Sequence, residues 1–224
     1  MATPYIRSEA IILRRTNYGE ADRIINFLTL HHGKVSAIAK GVRKPKSKLA
    51  GGLELLAVSD ITITRGRGEM GVVTSAQLIK FFGDILKDYD RLQLANTMMK
   101  TINQVSETVA EPDFYHLLKN GLEYLNHHSI DERVTELWFR LQISSLLGHP
   151  VNLATSSDSK ALSADENYDF DFASNSFTAA KSGRFGGDHI KFLRLVQAKN
   201  PALVRQVGGV EAVLADCLWL ARNL

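Results

Sequence analysis

Residues 34–48 place six cations, Lys34, Lys40, Arg43, Lys44, Lys46 and Lys48, in a stretch that contains no acid. Clusters of this kind attract phosphate backbones, because each phosphate they neutralise releases condensed counterions. The same side chains on a solvated loop would do no more than keep a protein soluble. Arg14, Arg15, Arg65 and Arg67 stand at the ends of apolar runs or in turns, where they can extend one cationic surface. The charge of the whole chain is uneven. Residues 1–80 carry 13 Lys/Arg against 6 Asp/Glu, and residues 81–224 carry 14 against 18, so the net +3 conceals a basic first third and a mildly acidic remainder. Such a split points to a polyanion as the partner of the first part.

Other chemistry-bearing residues lack the spacing that chemistry needs. His31-His32 and His127-His128 are adjacent pairs, which share a face on neither a strand nor a helix, and neither has the His-Glu-x-x-His pattern of a zinc hydrolase. Asp165, Glu166, Asp169 and Asp171 lack the EF-hand spacing and read as solvated loop acids rather than the metal site of a nuclease. Cys217 is the only cysteine, which excludes an internal disulfide and a multi-cysteine zinc site, and it falls on an apolar stripe with Val213, Leu214 and Leu220. No phosphate-binding Gly-x-x-x-x-Gly-Lys-Ser/Thr occurs, Gly66-x-Gly68 opens no dinucleotide-binding helix, and no nucleophile motif is present. These residues predict a protein that is not an enzyme and holds no cofactor or metal. No apolar run approaches the roughly 18–20 residues of a membrane helix, and residues 1–7 lack a signal-peptide stretch, which predicts a cytoplasmic protein with no membrane contact.

The elements that would position the cations are short strands. Residues 9–15, 23–30, 34–42, 55–65 and 70–79 are rich in β-branched side chains and alternate roughly with period two. Asn17-Tyr18-Gly19, His31-His32-Gly33, Lys44-Pro45-Lys46 and Arg65-Gly66-Arg67-Gly68 separate them with turn chemistry. Five strands in so short a span predict a small barrel, and an OB-fold or an SH3-like barrel fits the count. Tyr18 and Phe27 are the only aromatics between Tyr5 and Phe81. Barrels that stack many bases carry more, so the expected binding is largely electrostatic and sequence-independent, with Phe27 in the core.

After Gly83 the period becomes helical. Ile85, Tyr89, Leu92, Ala95, Met99 and Ile102 form one stripe, Phe114 to Leu125 a second beginning at Asp113, and Val134 to Leu141 a third beginning near Asp131. Residues 151–187 are polar, with Tyr168, Phe170, Phe172 and Phe177 as apolar anchors and a strand-like alternation at 168–172. Helical spacing returns from Asp188, broken at Asn200-Pro201 and Gly208-Gly209. The expected organisation is α+β: a five-stranded OB-fold β-barrel over residues 1–80, then an all-α domain over 81–224 with a polar insert at 151–187.

Tyr18-Gly19-Glu20-Ala21-Asp22-Arg23, then Gly33-Lys34 and Ala39-Lys40-Gly41-Val42-Arg43-Lys44-Pro45-Lys46-Ser47, resemble the N-terminal domain of the RecO family. That pattern is a Tyr-Gly-Glu-x-Asp-Arg turn, a Gly-Lys strand and an Ala-Lys-Gly-x-Arg-(Arg/Lys)-x-x-Ser loop. Residues 65–71 are similar to the family's central hairpin. The likeness covers about residues 5–80, and beyond them only length and layout agree. It implies binding of single- and double-stranded DNA, annealing of complementary strands, and help in loading recombinase onto strands coated by single-strand-binding protein. The implied partners are RecR and the C-terminal tail of that coating protein, and the implied location is cytoplasmic and nucleoid-associated. To the DNA-contacting surface it assigns Lys40, Arg43, Lys44, Lys46 and Lys48, with Lys34 beside them. Many members carry a four-cysteine zinc module where this chain has residues 151–187, which hold no cysteine, with only His189 just beyond. The expectation is no zinc and an insert held by its aromatics or left mobile. The rival reading is an OB module that binds RNA or serves as a protein-interaction scaffold.

Overall fold

The alternating first third folds as five strands: β1 (Tyr5–Tyr18), β2 (Asp22–Thr29), β3 (Gly33–Ala39), β4 (Ala57–Thr64) and β5 (Gly71–Phe81). They close into a barrel in the order β1-β2-β3-β5-β4, with β1 antiparallel to both β2 and β4. β3 meets β5 in parallel, pairing Ala37 with Gly71 and Ile38 with Val72. That order is the five-stranded Greek-key OB-fold rather than an SH3-like barrel. The structure, a computed structural model, describes residues 5–64, 70–106 and 112–224. The expected hairpin with Arg65 and Arg67 lies outside the described residues.

β1 extends well beyond its apolar run and carries a bulge between Ile12 and Arg14. A bulge inserts one residue and reverses which face the following side chains take. Before it, Ile6, Ala10 and Ile12 join Ile25, Phe27, Ala37, Ile61 and Ile63 in the barrel core. Beyond it, Arg14 pairs with Asn26 and Arg15 with the core residue Ile25. The unbroken apolar run Ala10-Ile11-Ile12-Leu13 has a second cause. Ile11 pairs with Leu28 on one side and Val58 on the other, and this row outside the barrel core is fully buried too.

Helix α1 (Tyr89–Val105), capped by the Asp88 side chain, packs on β1, and α2 (Asp113–Asn126) packs on α1. From α2, the Tyr115 hydroxyl donates to Glu9 of β1, and Lys119 Nζ lies 2.6 Å from the same carboxylate. Strand gives way to helix between Phe81 and Tyr89, but the first compact unit, Met1–Asn126, runs on through both helices. Burial by itself would raise the Glu9 pKa, yet the bonds from Lys119 and Tyr115 hold it below the usual glutamate range.

The second unit, His127–Leu224, is helical apart from one small sheet. Asp131 caps α3 (Glu132–Leu146), and α4 (Gly187–Ala198) follows the insert. Asn200 caps α5 (Pro201–Val204), with Pro201 at its first position, and α6 (Glu211–Arg222) closes the chain. The buried Glu136 of α3 accepts from Arg140 and from both Nε and Nη2 of Arg222, joining α3 to α6. The insert is not mere loop. It forms β6 (Asn152–Ser156), β7 (Tyr168–Asp171) and β8 (Ser176–Ala179), in the order β6-β8-β7. Tyr168, Phe177 and Phe185 are almost fully buried beneath it, and Phe177 meets Tyr168, Phe170 and Phe185 edge-on with ring centroids 6.3, 4.9 and 5.6 Å apart. Strands of four or five residues with polar alternate positions leave little periodic trace, which is why the expected all-α domain contains a sheet.

Aromatic burial is thus the bond that holds the insert. Phe177→Ala is expected to lower stability by about 3–5 kcal/mol in urea unfolding, whereas a zinc chelator leaves the wild-type midpoint unchanged. A second expectation concerns pH. Because the folded Glu9 pKa is depressed, its contribution is complete above the ordinary value of 4.5 and is lost as pH falls through the folded value. Glu9→Gln should therefore destabilise by about 1 kcal/mol at pH 7 and much less at pH 3.

Candidate nucleic-acid interface

The basic segment leaves the barrel at the end of β3. Gly41 has φ +63°, a left-handed backbone that a side chain resists, and its N–H donates to Asp22 Oδ1 at 2.7 Å. Arg43 N–H donates to the Ala21 carbonyl at 2.9 Å, and Arg43 Nη1 reaches the Gly19 carbonyl at 3.5 Å. Lys44 N–H returns to Gly41, and Ser47 N–H to Lys44, so the segment is a chain of turns. Val42 is buried in the barrel core, and Leu49 and Ala50 pack against the same core. A short 3-10 turn, Ala50–Gly52, ends the loop, where Gly52 lies so close to the Ala76 carbonyl that a Cβ would sit 2.4 Å from its oxygen. The loop is pinned at both ends by apolar groups and raises its cations between them.

Arg43, Lys44, Lys46 and Lys48 are exposed on this loop, with Lys40 exposed at its root. Arg14 is exposed on the outer face of the barrel, in the row that pairs Arg14 with Asn26 and Asn26 with Ser36. Among the described residues no ion pair involves these six cations. No carboxylate among the described residues neutralises their charge.

Two other predicted cations have structural duties. Lys34 Nζ donates to the Asn103 carbonyl at 2.8 Å, in the last turn of α1, where the open carbonyls of a helix favour a cation. Arg15, turned toward the barrel mouth by the bulge, donates to the Leu53 carbonyl at 3.3 Å and to Glu54 Oε2 at 2.6 Å. The structure therefore brings Arg14, Lys40, Arg43, Lys44, Lys46 and Lys48 to open surface and leaves Lys34 and Arg15 apart from them, while Arg65 and Arg67 fall outside the described residues. Phe27 is fully buried, and Tyr18 is 54% exposed on the turn over which Arg43 folds.

Three of the acids at 165–171 have local partners. Asp169 accepts from Arg184 N–H, Asp171 from Ala173 N–H and Ser174 Oγ, and Glu166 from the Tyr168 hydroxyl. Among the described residues no group of three or more His, Cys, Asp or Glu is arranged to hold a metal ion. The Cys217 thiol is buried, and burial pushes its pKa up to about 12. No helix among the described residues is long and apolar enough to cross a membrane.

A family model described as "Recombination protein O N terminal" matches residues 1–82. The chain is 34% identical over 171 residues to the DNA repair protein RecO of Dehalococcoides mccartyi (strain CBDB1), across 75% of this chain and 67% of that relative. It is 30% identical over 165 residues to the DNA repair protein RecO of Syntrophomonas wolfei, across 71% and 66%. To that of Acetivibrio thermocellus it is 42% identical over 101 residues, across 45% and 40%. The chain thus spans less than two thirds of the length of some of the curated relatives that it matches.

Asp22 is the polar tie that seats the loop. Asp22→Ala is expected to remove about 1 kcal/mol and to speed tryptic cleavage within residues 40–48, while Asp22→Asn, which keeps an acceptor oxygen, stays near wild type. Equal cleavage rates for all three proteins would assign the seating to Val42 and Leu49 alone.

Proposed function

The chain belongs to the RecO family, and from that premise we propose that its basic loop, with Arg14 on the adjoining barrel face, binds DNA through the phosphate backbone. The observation that carries the reading is the loop itself. Lys40, Arg43, Lys44, Lys46 and Lys48 stand on a segment anchored in the barrel core, and no carboxylate among the described residues pairs with them. Cations already neutralised by the fold have little to offer a phosphate. Unpaired ones bind it by displacing counterions, without regard to sequence.

In this reading the protein serves DNA repair and recombination without a covalent step. It holds single and double strands, anneals complementary strands, and assists recombinase loading on strands coated by single-strand-binding protein. Its partners are RecR and the C-terminal tail of the coating protein, and its place is the nucleoid. Annealing has a direct physical account. Cations beside two phosphate backbones reduce their mutual repulsion, and because phosphate contacts leave base edges free, the bases can pair.

The test is a salt titration of strand binding. Reversal of Lys44, Lys46 and Lys48 to Glu should weaken binding to oligothymidylate and flatten its dependence on salt. Each lost phosphate contact lowers the slope of log K against log salt by about 0.7 for a single strand. Arg15→Ala serves as control and should leave the slope unchanged, since Glu54 already engages that guanidinium. An unchanged affinity at low salt after the triple reversal refutes the placement.

A further inference from the structure

We propose that Tyr18 is a base-stacking platform within the cationic face, and that it makes the site prefer single strands to duplex. This rests on the DNA-binding reading above and adds to it a contact that phosphate recognition does not supply. Tyr18 is the last residue of β1 and pairs with Asp22, the residue that holds Gly41. Directly paired residues share a face of the sheet. Beyond the bulge, that face carries Arg14 and Thr16 on β1, Ile24 and Asn26 on β2, and Ser36 and Ile38 on β3. It is the outer face, since the alternate residues Ile25, Ala37 and Ala39 belong to the core. The next row of the pleat, Thr16 with Ile24 and Ile24 with Ile38, offers partly buried aliphatic surface beside the ring.

Two of the cations flank this position. Arg43 bonds the carbonyls of Gly19 and Ala21, one and three residues from Tyr18, so the loop lies on the turn that Tyr18 begins. Arg14 is four residues back on the same strand and face, about 13 Å away at the usual rise. Tyr18 stands on β1 between Arg14 and the turn that Arg43 bonds.

The ring is available to it. Tyr18 is 54% exposed, and among the described residues its side chain enters no hydrogen bond, ring contact or cation contact. Other tyrosines are used by the fold: Tyr115 bonds Glu9, and Tyr168 receives the Ser163 N–H and donates to Glu166. Tyr5 and Phe81 are exposed as well, but Tyr5 begins β1 opposite Thr64, and Phe81 closes β5 against Gly83. Tyr18 alone among these joins the cations. Every base has a face to stack on such a ring, so the contact is blind to sequence, yet a duplex keeps its bases stacked on one another and cannot use it. Phosphate contacts make no such distinction.

The experiment compares wild type, Tyr18→Ala, Tyr18→Phe and the Lys44, Lys46 and Lys48 reversal on three ligands: oligothymidylate, an abasic phosphodiester strand of equal length, and duplex DNA. Tyr18→Ala should weaken oligothymidylate binding about tenfold while leaving the abasic strand and the duplex within twofold. Tyr18→Phe, which keeps the ring, should behave as wild type. A Tyr18→Ala protein that loses affinity equally for all three ligands, or for none, overturns the stacking role. The charge reversal separates this failure from the larger one. If it weakens all three ligands while Tyr18→Ala changes nothing, phosphate binding stands and stacking falls. If the wild-type chain binds none of the three, both fall together. Equal unfolding midpoints for wild type and Tyr18→Ala exclude a folding defect.

Discussion

Like charges held close together repel, and the loop after β3 gathers five cations within nine residues with no acid among them. Two unit charges about 6 Å apart in water oppose each other by about 0.7 kcal/mol. Burying a single Val or Leu side chain is worth about 1.5–3 kcal/mol. Val42 and Leu49, seated on the barrel core to either side of Arg43, Lys44, Lys46 and Lys48, are therefore enough to hold several repelling neighbours in place. Hydrogen bonds from Gly41 to Asp22 and from Arg43 to Ala21 then fix where the loop lies. Without this apolar and backbone restraint the cations would spread into solvent.

The same unit decides which cations stay available. Its helices cover the Ile11, Leu28 and Val58 row, and with it the end of β3 that carries Lys34, whose ammonium becomes part of the α1 terminus. The opposite end of β3, with Lys40 and the loop, keeps its charge free. A helix that caps one end of a strand and leaves the other open thus divides a basic segment into a structural part and an open part. The contacts from Tyr115 and Lys119 to Glu9 fasten α2 to the barrel.

In the second unit, aromatic packing provides the local cohesion of the insert. Phe177 touches three other rings, and Arg184 lies over Trp219 at 4.1 Å while it pairs with Asp216 at 2.6 Å. A small sheet with polar outer positions needs such a centre, since three short strands bury too little surface to stand alone.

The sequence by itself determined the strands, the turns, the helical stripes and the run of cations, because each of these is written in neighbouring residues: β-branched alternation, glycine at turns, apolar spacing of three and four, and charge within one short segment. It also carried the two motifs of the family, Tyr18 to Arg23 and Ala39 to Ser47, but not the fact that they touch through Asp22 and Gly41. Only the tertiary structure decided which cations are free. Arg14 and Arg15 are neighbours in the chain, yet a bulge that leaves no mark in composition sends one to the open face and the other to Glu54. Lys34 reads like its fellows until a carbonyl 69 residues away receives it. Tyr18 looked like a lone aromatic in a barrel poor in them, and its exposure beside the loop follows from strand register. Local propensity acts over a few residues and can be read from them. The availability of a charge or a ring depends on what the fold brings near it, and those partners lie far off along the chain.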